Sequence, residues 1–212
     1  AHAYDNTVAG GVATTGTDSI IENNTITGAV TINKVGTTFI GNDVNGTVTV
    51  SANNNVIKEN NITTTGNYAV DLGSKTGNNV TDNYLVAALY KGDVAVKFSN
   101  ANNIVENNLP VAPVVVAADS AWIGNNATVT VTVANTTGTV TITVNGKDQT
   151  VELVDGVATV EVAGEDLAAG TNVLTVTYNG PEYAPLTVED AIVVLDGVVT
   201  QDTYMYYFNQ ED

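Results

Sequence analysis

The chain has 212 residues, 43% of them hydrophobic, with a formal net charge of −17 and no cysteine. Its only strong cations are Lys34, Lys58, Lys75, Lys91, Lys97 and Lys147, because arginine is absent. Such a surface repels phosphate backbones and anionic headgroups, which excludes nucleic acid and acidic membranes as partners. The missing cysteines exclude a disulfide framework, a Cys-zinc site and a thiol nucleophile. No run of about 18 apolar residues offers a membrane-spanning helix.

An excess of Val, Thr, Asn and Gly over helix formers predicts an all-β chain. From the first residues a phrase recurs: apolar, two variable residues, Asn, one variable residue, apolar. It reads AYDNTV (Ala3–Val8), IENNTI (Ile21–Ile26), FIGNDV (Phe39–Val44), IKENNI (Ile57–Ile62), VTDNYL (Val80–Leu85) and IVENNL (Ile104–Leu109). The repeated residues are Asn6, Asn24, Asn42, Asn60, Asn83 and Asn107, at steps of 18, 18, 18, 23 and 24. A second apolar element, around Val12, Val30, Val48, Val70 and then Val94–Phe98, follows each of the first five phrases. The longer periods carry their extra residues between the two elements, at Thr63–Asn67 and Val86–Lys91. Because the pattern is already running at Ala1, the chain is expected to be a segment of a longer polypeptide.

Such a period predicts a solenoid. One coil cannot bury its inward apolar row alone, but stacked coils make a continuous core. Asparagines at equivalent positions can pass amide hydrogen bonds from coil to coil. Four leucines within residues 1–110 are too few for a leucine-rich repeat. The expectation is a right-handed parallel β-helix of about six coils over residues 1–110. At ~4.8 Å per coil it is a rod of roughly 30 Å, with the six asparagines as its ladder.

Pro110 and Pro113 break the period and place a boundary. Beyond it, seven alternating strands at sandwich spacing run from Val114–Ala118 to Leu186–Leu195, with hairpin turns at Asn145-Gly146 and Asp155-Gly156. Residues 111–198 are therefore expected to form an Ig-like β-sandwich, with Trp122 in its core or at an edge. Residues 199–212 read as a linker or the truncated start of a further module.

Leu167–Pro185 (LAAGTNVLTVTYNGPEYAP) resembles the late-strand signature of bacterial Ig-like repeat domains. An Asn-rich β-helix beside such a module is similar to the adhesin-like surface proteins of methanogenic archaea. That resemblance implies extracellular, cell-surface or cell-wall display and adhesion to surface glycans or proteins of other cells.

Parallel β-helices also carry polysaccharide lyases and hydrolases, so a carbohydrate-active fragment is the main alternative, with a purely architectural envelope component as another. Lyases of that fold use a basic residue to take a proton and hydrolases pair carboxylates with a basic clamp. Here His2 is the sole histidine and sits at the N-terminal end, and Asp71, Asp82 and Asp93 read as turn acids. No catalytic residue and no cofactor is expected. The turns Asn42-Asp43, Glu165-Asp166 and Glu189-Asp190 are the oxygen-rich positions a structural Ca²⁺ would use. Lys147, the lysine an isopeptide staple in the second domain would need, is expected to be exposed. Asn23, Asn45, Asn61, Asn79, Asn126 and Asn135 begin Asn-x-Ser/Thr triplets and are the candidate N-glycosylation sites.

Overall fold

The computed structural model describes residues 1–197; the expected linker over 199–212 lies outside them. Each coil of the first half contributes up to three short strands, and these build three parallel sheets. The first sheet stacks His2–Tyr4, Ile20–Glu22, Thr38–Ile40, Val56–Lys58, Asn79–Thr81 and Ile104–Glu106. The second stacks Thr7–Val8, Thr25–Ile26, Asp43–Asn45, Asn61–Thr63 and Tyr84–Val86. The third stacks Val12–Ala13, Val30–Ile32, Val48–Val50, Val70–Gly73 and Val96–Phe98. The strands stay in register from coil to coil, the arrangement of a parallel β-helix. The recurring phrase thus spans two strands and the corner between them, and the second element is the third strand.

Register follows from inward columns. Ile21, Phe39, Ile57 and Val80 are buried one above another on the first sheet. Ile26, Val44, Ile62 and Leu85 do the same on the second, and Val30, Val48, Val70 and Val96 on the third. At ~25 cal/mol per Å² these columns supply the solenoid's main driving force. The corner before each ladder asparagine has a left-handed backbone: Asp5, Asn23, Gly41, Glu59, Asp82 and Asn107 all have φ between 53° and 66°. Short polar side chains and glycine tolerate this best.

One residue of the expected ladder is corrected here. Asn107 occupies that left-handed corner and is exposed, and Asn108 is the sixth rung. In the last coil Val105, not Ile104, pairs with Val80. Ile104 points out and is 50% exposed. The steps are therefore 18, 18, 18, 23 and 25. A one-residue slip exchanges the inward and outward faces of a strand, so packing of the partly buried Val105 against the core beside Val80 fixes the register.

Residues 114–195 form two further sheets around a second core. One holds Val114–Ala118, Ala127–Val133 and Val157–Val162. The other runs Ala121–Trp122, Leu186–Leu195, Gly170–Asn179, Thr139–Val144 and Lys147–Glu152. Strict alternation in Ala127–Val133 and Thr139–Val144 buries Val129, Val131, Val133, Val140, Ile142 and Val144 between them, as two stacked sheets require. Both residues of the Asn145-Gly146 and Asp155-Gly156 turns have positive φ, which matches the twist of a tight hairpin. Trp122 lies on a two-residue edge strand and is 55% exposed.

Candidate functional site

The asparagine ladder is a continuous column of polar side chains through the solenoid. In each step Oδ1 of one asparagine accepts both the backbone N–H and the Nδ2 of the rung one coil before it. Asn60 Oδ1 stands 2.8 Å from Asn42 N and 3.0 Å from Asn42 Nδ2. From Asn24 onward each Nδ2 also donates to two carbonyls, as Asn60 does to Phe39 and Lys58 at 2.9 Å. Asn24, Asn42, Asn60, Asn83 and Asn108 are buried. The column therefore fills its own hydrogen-bonding capacity inside the wall, as a buried polar network must. The buried rungs leave no amide for a ligand.

A second, unanticipated ladder flanks the other end of the first sheet. Thr37 N donates to Asn55 Oδ1, Asn55 to Asn78 Oδ1 and Asn78 to Asn103 Oδ1. Thr37, Asn55, Asn78 and Asn103 are separated by 18, 23 and 25 residues. The spacing was visible in the sequence, but threonine in one rung hid the pattern.

The two insertions lie on one edge of the coil stack, between the second and third sheets. Residues 64–69 carry the first, and residues 87–95, which include a 3-10 turn at Gly92–Ala95, carry the second. They stack on each other: Thr64 N donates to the Val86 carbonyl at 3.0 Å and Ala88 N to the Gly66 carbonyl at 2.9 Å. Tyr68 from one insertion and Tyr90 from the other form a stacked pair, with ring centroids 4.9 Å apart and planes inclined by 24°. Both residues are partly buried, and Tyr90 packs against the solenoid core. Lys97 Nζ stands 6.0 Å from the Tyr68 centroid and 3.1 Å from Asp71 Oδ2. The neighbouring Tyr90 hydroxyl, and after it the loss of hydration, hold the Tyr68 phenol above the ordinary tyrosine range. This edge thus sets aromatic surface beside one hydrogen-bond donor and one acceptor.

The second insertion also closes the solenoid. Asp93 Oδ1 accepts from Asn108 N at 2.9 Å and from Asn108 Nδ2 at 2.7 Å, in the position a further rung would take. Buried Gly92 lies so close to the Asn108 and Pro110 carbonyls that a Cβ there would stand 2.8 and 2.6 Å from them. Lys91 then bridges to the second domain. Its N–H meets the Glu182 carbonyl at 2.9 Å, and its Nζ lies 3.4 Å from Glu182 Oε2 and 5.1 Å from the Tyr183 ring centroid. A cleft of about 360 Å³ at this junction is lined by Asp93, Leu109, Pro110, Val111, Pro185 and Leu186, among others.

The remaining sequence candidates fall elsewhere. Asp71 pairs with Lys97 on the third sheet, Asp82 forms a corner after Asn79–Thr81, and Asp93 caps the ladder. They occupy three separate stations of the coil. Of the oxygen-rich turns, Asn42 is committed to the ladder and Asp43 accepts from Asn61. Asp166 pairs with Lys147, whose Nζ that carboxylate keeps protonated above the ordinary lysine range. Glu189 and Asp190 are exposed on Leu186–Leu195. Among the described residues no three His, Asp or Glu side chains converge as metal ligands. Asn23, Asn45, Asn61, Asn126 and Asn135 are exposed, whereas Asn79 is half-buried on the first sheet with its Oδ1 shielded and unpaired.

No family model and no curated protein matches the chain. Among solved structures it is similar to the endo-β-1,4-mannanase from Thermotoga petrophila, at 13% identity over 42% of this chain and 21% of that one, with a TM-score of 0.31. It is also similar to chitinase ChiW, a cell-surface-expressed multi-modular enzyme from Paenibacillus sp. str. FPU-7. There the identity is 15% over 89% of this chain and 23% of that one, with a TM-score of 0.27. Likenesses this slight carry no functional inference.

Proposed function

We propose that the chain is a cell-surface, adhesin-like ectodomain segment, akin to those of methanogenic archaea. A rigid right-handed β-helix presents contacts to other cells or their glycans, and the second domain, an Ig-like sandwich, acts as a spacer. The observation that carries this reading is the placement of both insertions on one edge of an otherwise regular rod. There they hold Tyr68, Tyr90, Lys97 and Asp71 together. Insertions in repeat proteins gather on the face that makes contacts. The ladders and apolar columns, by contrast, serve length and stiffness, which a display rod needs.

The reading is non-enzymatic. Six lysines, no arginine and one histidine give little material for a basic clamp, and two of those lysines, Lys91 and Lys97, are engaged with Glu182 and Asp71. The decisive experiment is binding of the 212-residue chain to whole cells and to a glycan array, run beside a reducing-end assay on polyuronides, mannan and chitin. Attachment without cleavage is expected. Release of reducing ends or unsaturated products would overturn the non-enzymatic reading, and absence of attachment to any surface would overturn the adhesive one.

A further inference from the structure

We infer that the Tyr68–Tyr90 pair, with Lys97 and Asp71, is a subsite for an uncharged saccharide bearing a vicinal diol, an inference that rests on the adhesive reading above. The rings come from separate insertions, stack at 4.9 Å and are partly buried, Tyr90 packing against the solenoid core. The aromatic surface left open to solvent meets the C–H side of a pyranose, which hides apolar surface while the hydroxyl rim stays polar. Beside it Lys97 Nζ and Asp71 Oδ2, 3.1 Å apart, offer one donor and one acceptor at the separation of adjacent hydroxyl groups. One hydroxyl accepts from the ammonium while its neighbour donates to the carboxylate.

Charge selects the class of sugar. The lysine is balanced by the carboxylate beside it, and the chain as a whole carries −17, so uronic and sialic acids meet repulsion. The register suggests a longer ligand. Asp71 and Lys97 continue a column of small outward residues on the third sheet, Ala13, Thr31 and Thr49. These form a ledge with one hydroxyl at each of two coils, ~4.8 Å apart, along which further sugar units lie parallel to the coil axis.

The test uses the full chain on an array of neutral, sialylated and uronic oligosaccharides, followed by saturation-transfer NMR and titration with the best neutral binder. Tyr90→Ala and Lys97→Met are each expected to weaken that binder about tenfold, Tyr90→Phe to keep most of the affinity, and unchanged far-UV dichroism and melting to show the coils intact. Should Tyr90→Ala shift the fold, Lys97→Met, an exposed change, decides alone. Neutral binding unaffected by Lys97→Met, binding to acidic glycans only, or attachment to cells but to no glycan would each overturn the subsite while leaving the adhesive reading standing. Attachment to nothing would overturn both.

Discussion

Asp93 Oδ1 accepts two hydrogen bonds from Asn108, one from the backbone N–H and one from Nδ2, and so stands where the next asparagine of the ladder would be. A solenoid must end its polar column somewhere, and an unpaired amide inside the wall costs more than the bond it replaces gains. The second insertion solves this by folding back from the preceding coil. The segment that breaks the repeat is therefore also the segment that closes it. Deleting it to probe binding would uncap the rod, so point changes at Tyr90 and Lys97 are the cleaner probes.

Replacing Asp93 tests that closure. Asp93→Ala leaves the Asn108 N–H without its acceptor, while Nδ2 keeps the Val80 and Glu106 carbonyls, and is expected to cost about 1–3 kcal/mol. Asp93→Asn keeps an Oδ1 in place and should recover most of the loss. Urea unfolding curves of the two variants give the comparison. Equal destabilisation by both would mean that the cap is not an oxygen acceptor for the ladder.

A central rung should matter far more than its exposed neighbour. Asn60 Oδ1 accepts from Asn42 N and Nδ2, and its Nδ2 donates to Phe39, Lys58 and Asn83. Asn60→Ala is expected to cost about 2–5 kcal/mol through the groups it orphans. Asn61→Ala, whose side chain bonds only exposed Asp43, should stay within about 0.5 kcal/mol. Denaturant midpoints for the two variants would separate these outcomes, and similar midpoints would argue against the ladder as a stabilising element.

The two cores predict where damage stops. Val48 is fully buried between Val30 and Val70, and Val48→Asp places a carboxylate there at a cost of several kcal/mol, roughly the transfer penalty of an unpaired polar group or more. Because coils stabilise their neighbours, amide exchange should accelerate across residues 21–72. It should remain slow across residues 127–194, whose core is separate. Equal loss of protection in both halves would show that they unfold as one unit.

The bridge between the halves is expected to be weak but measurable. Lys91 and Glu182 keep 27% and 26% of their side-chain surface, so solvent screening limits the pair to about 0.5–1 kcal/mol. Lys91→Ala should move the thermal transitions of the two halves apart without shifting the second domain's own midpoint. No change in their separation would leave the coupling to the Lys91 N–H bond with the Glu182 carbonyl and to the linker at Pro110–Pro113.

Alkaline pH offers a probe of the second core. Burial, opposed by the hydrogen bond with Thr136, holds the Tyr178 hydroxyl above the ordinary tyrosine value. Folding therefore favours the neutral phenol. Its contribution is whole below pH ~10, the unfolded value, and is lost as pH rises from there through the higher folded value. Ultraviolet titration should show late-ionising phenols that include Tyr68 and Tyr178, with destabilisation over that range, and Tyr178→Phe should remove one late phenol and leave that of Tyr68. An undiminished late step in the variant would show that Tyr178 does not contribute to it.

The repeat phrase by itself determined the coil period, the inward columns and five of the six rungs, because every coil must present the same chemistry at the same station for stacking to work. It also located both insertions, which show as lengthened steps. The sixth rung was ambiguous. Ile104-Val105 and Asn107-Asn108 each satisfy the phrase in two ways, and only stacking on Val80 and Asn83 selects Val105 and Asn108. The second ladder was concealed because Thr37 uses its backbone N–H where the other rungs also use an amide side chain. Tyr68 and Tyr90, Lys97 and Asp71, and Asp93 and Asn108 belong to different coils or different insertions. No sequence periodicity links them; the strand register brings each pair together, and that is where the candidate site and the closure of the rod were decided.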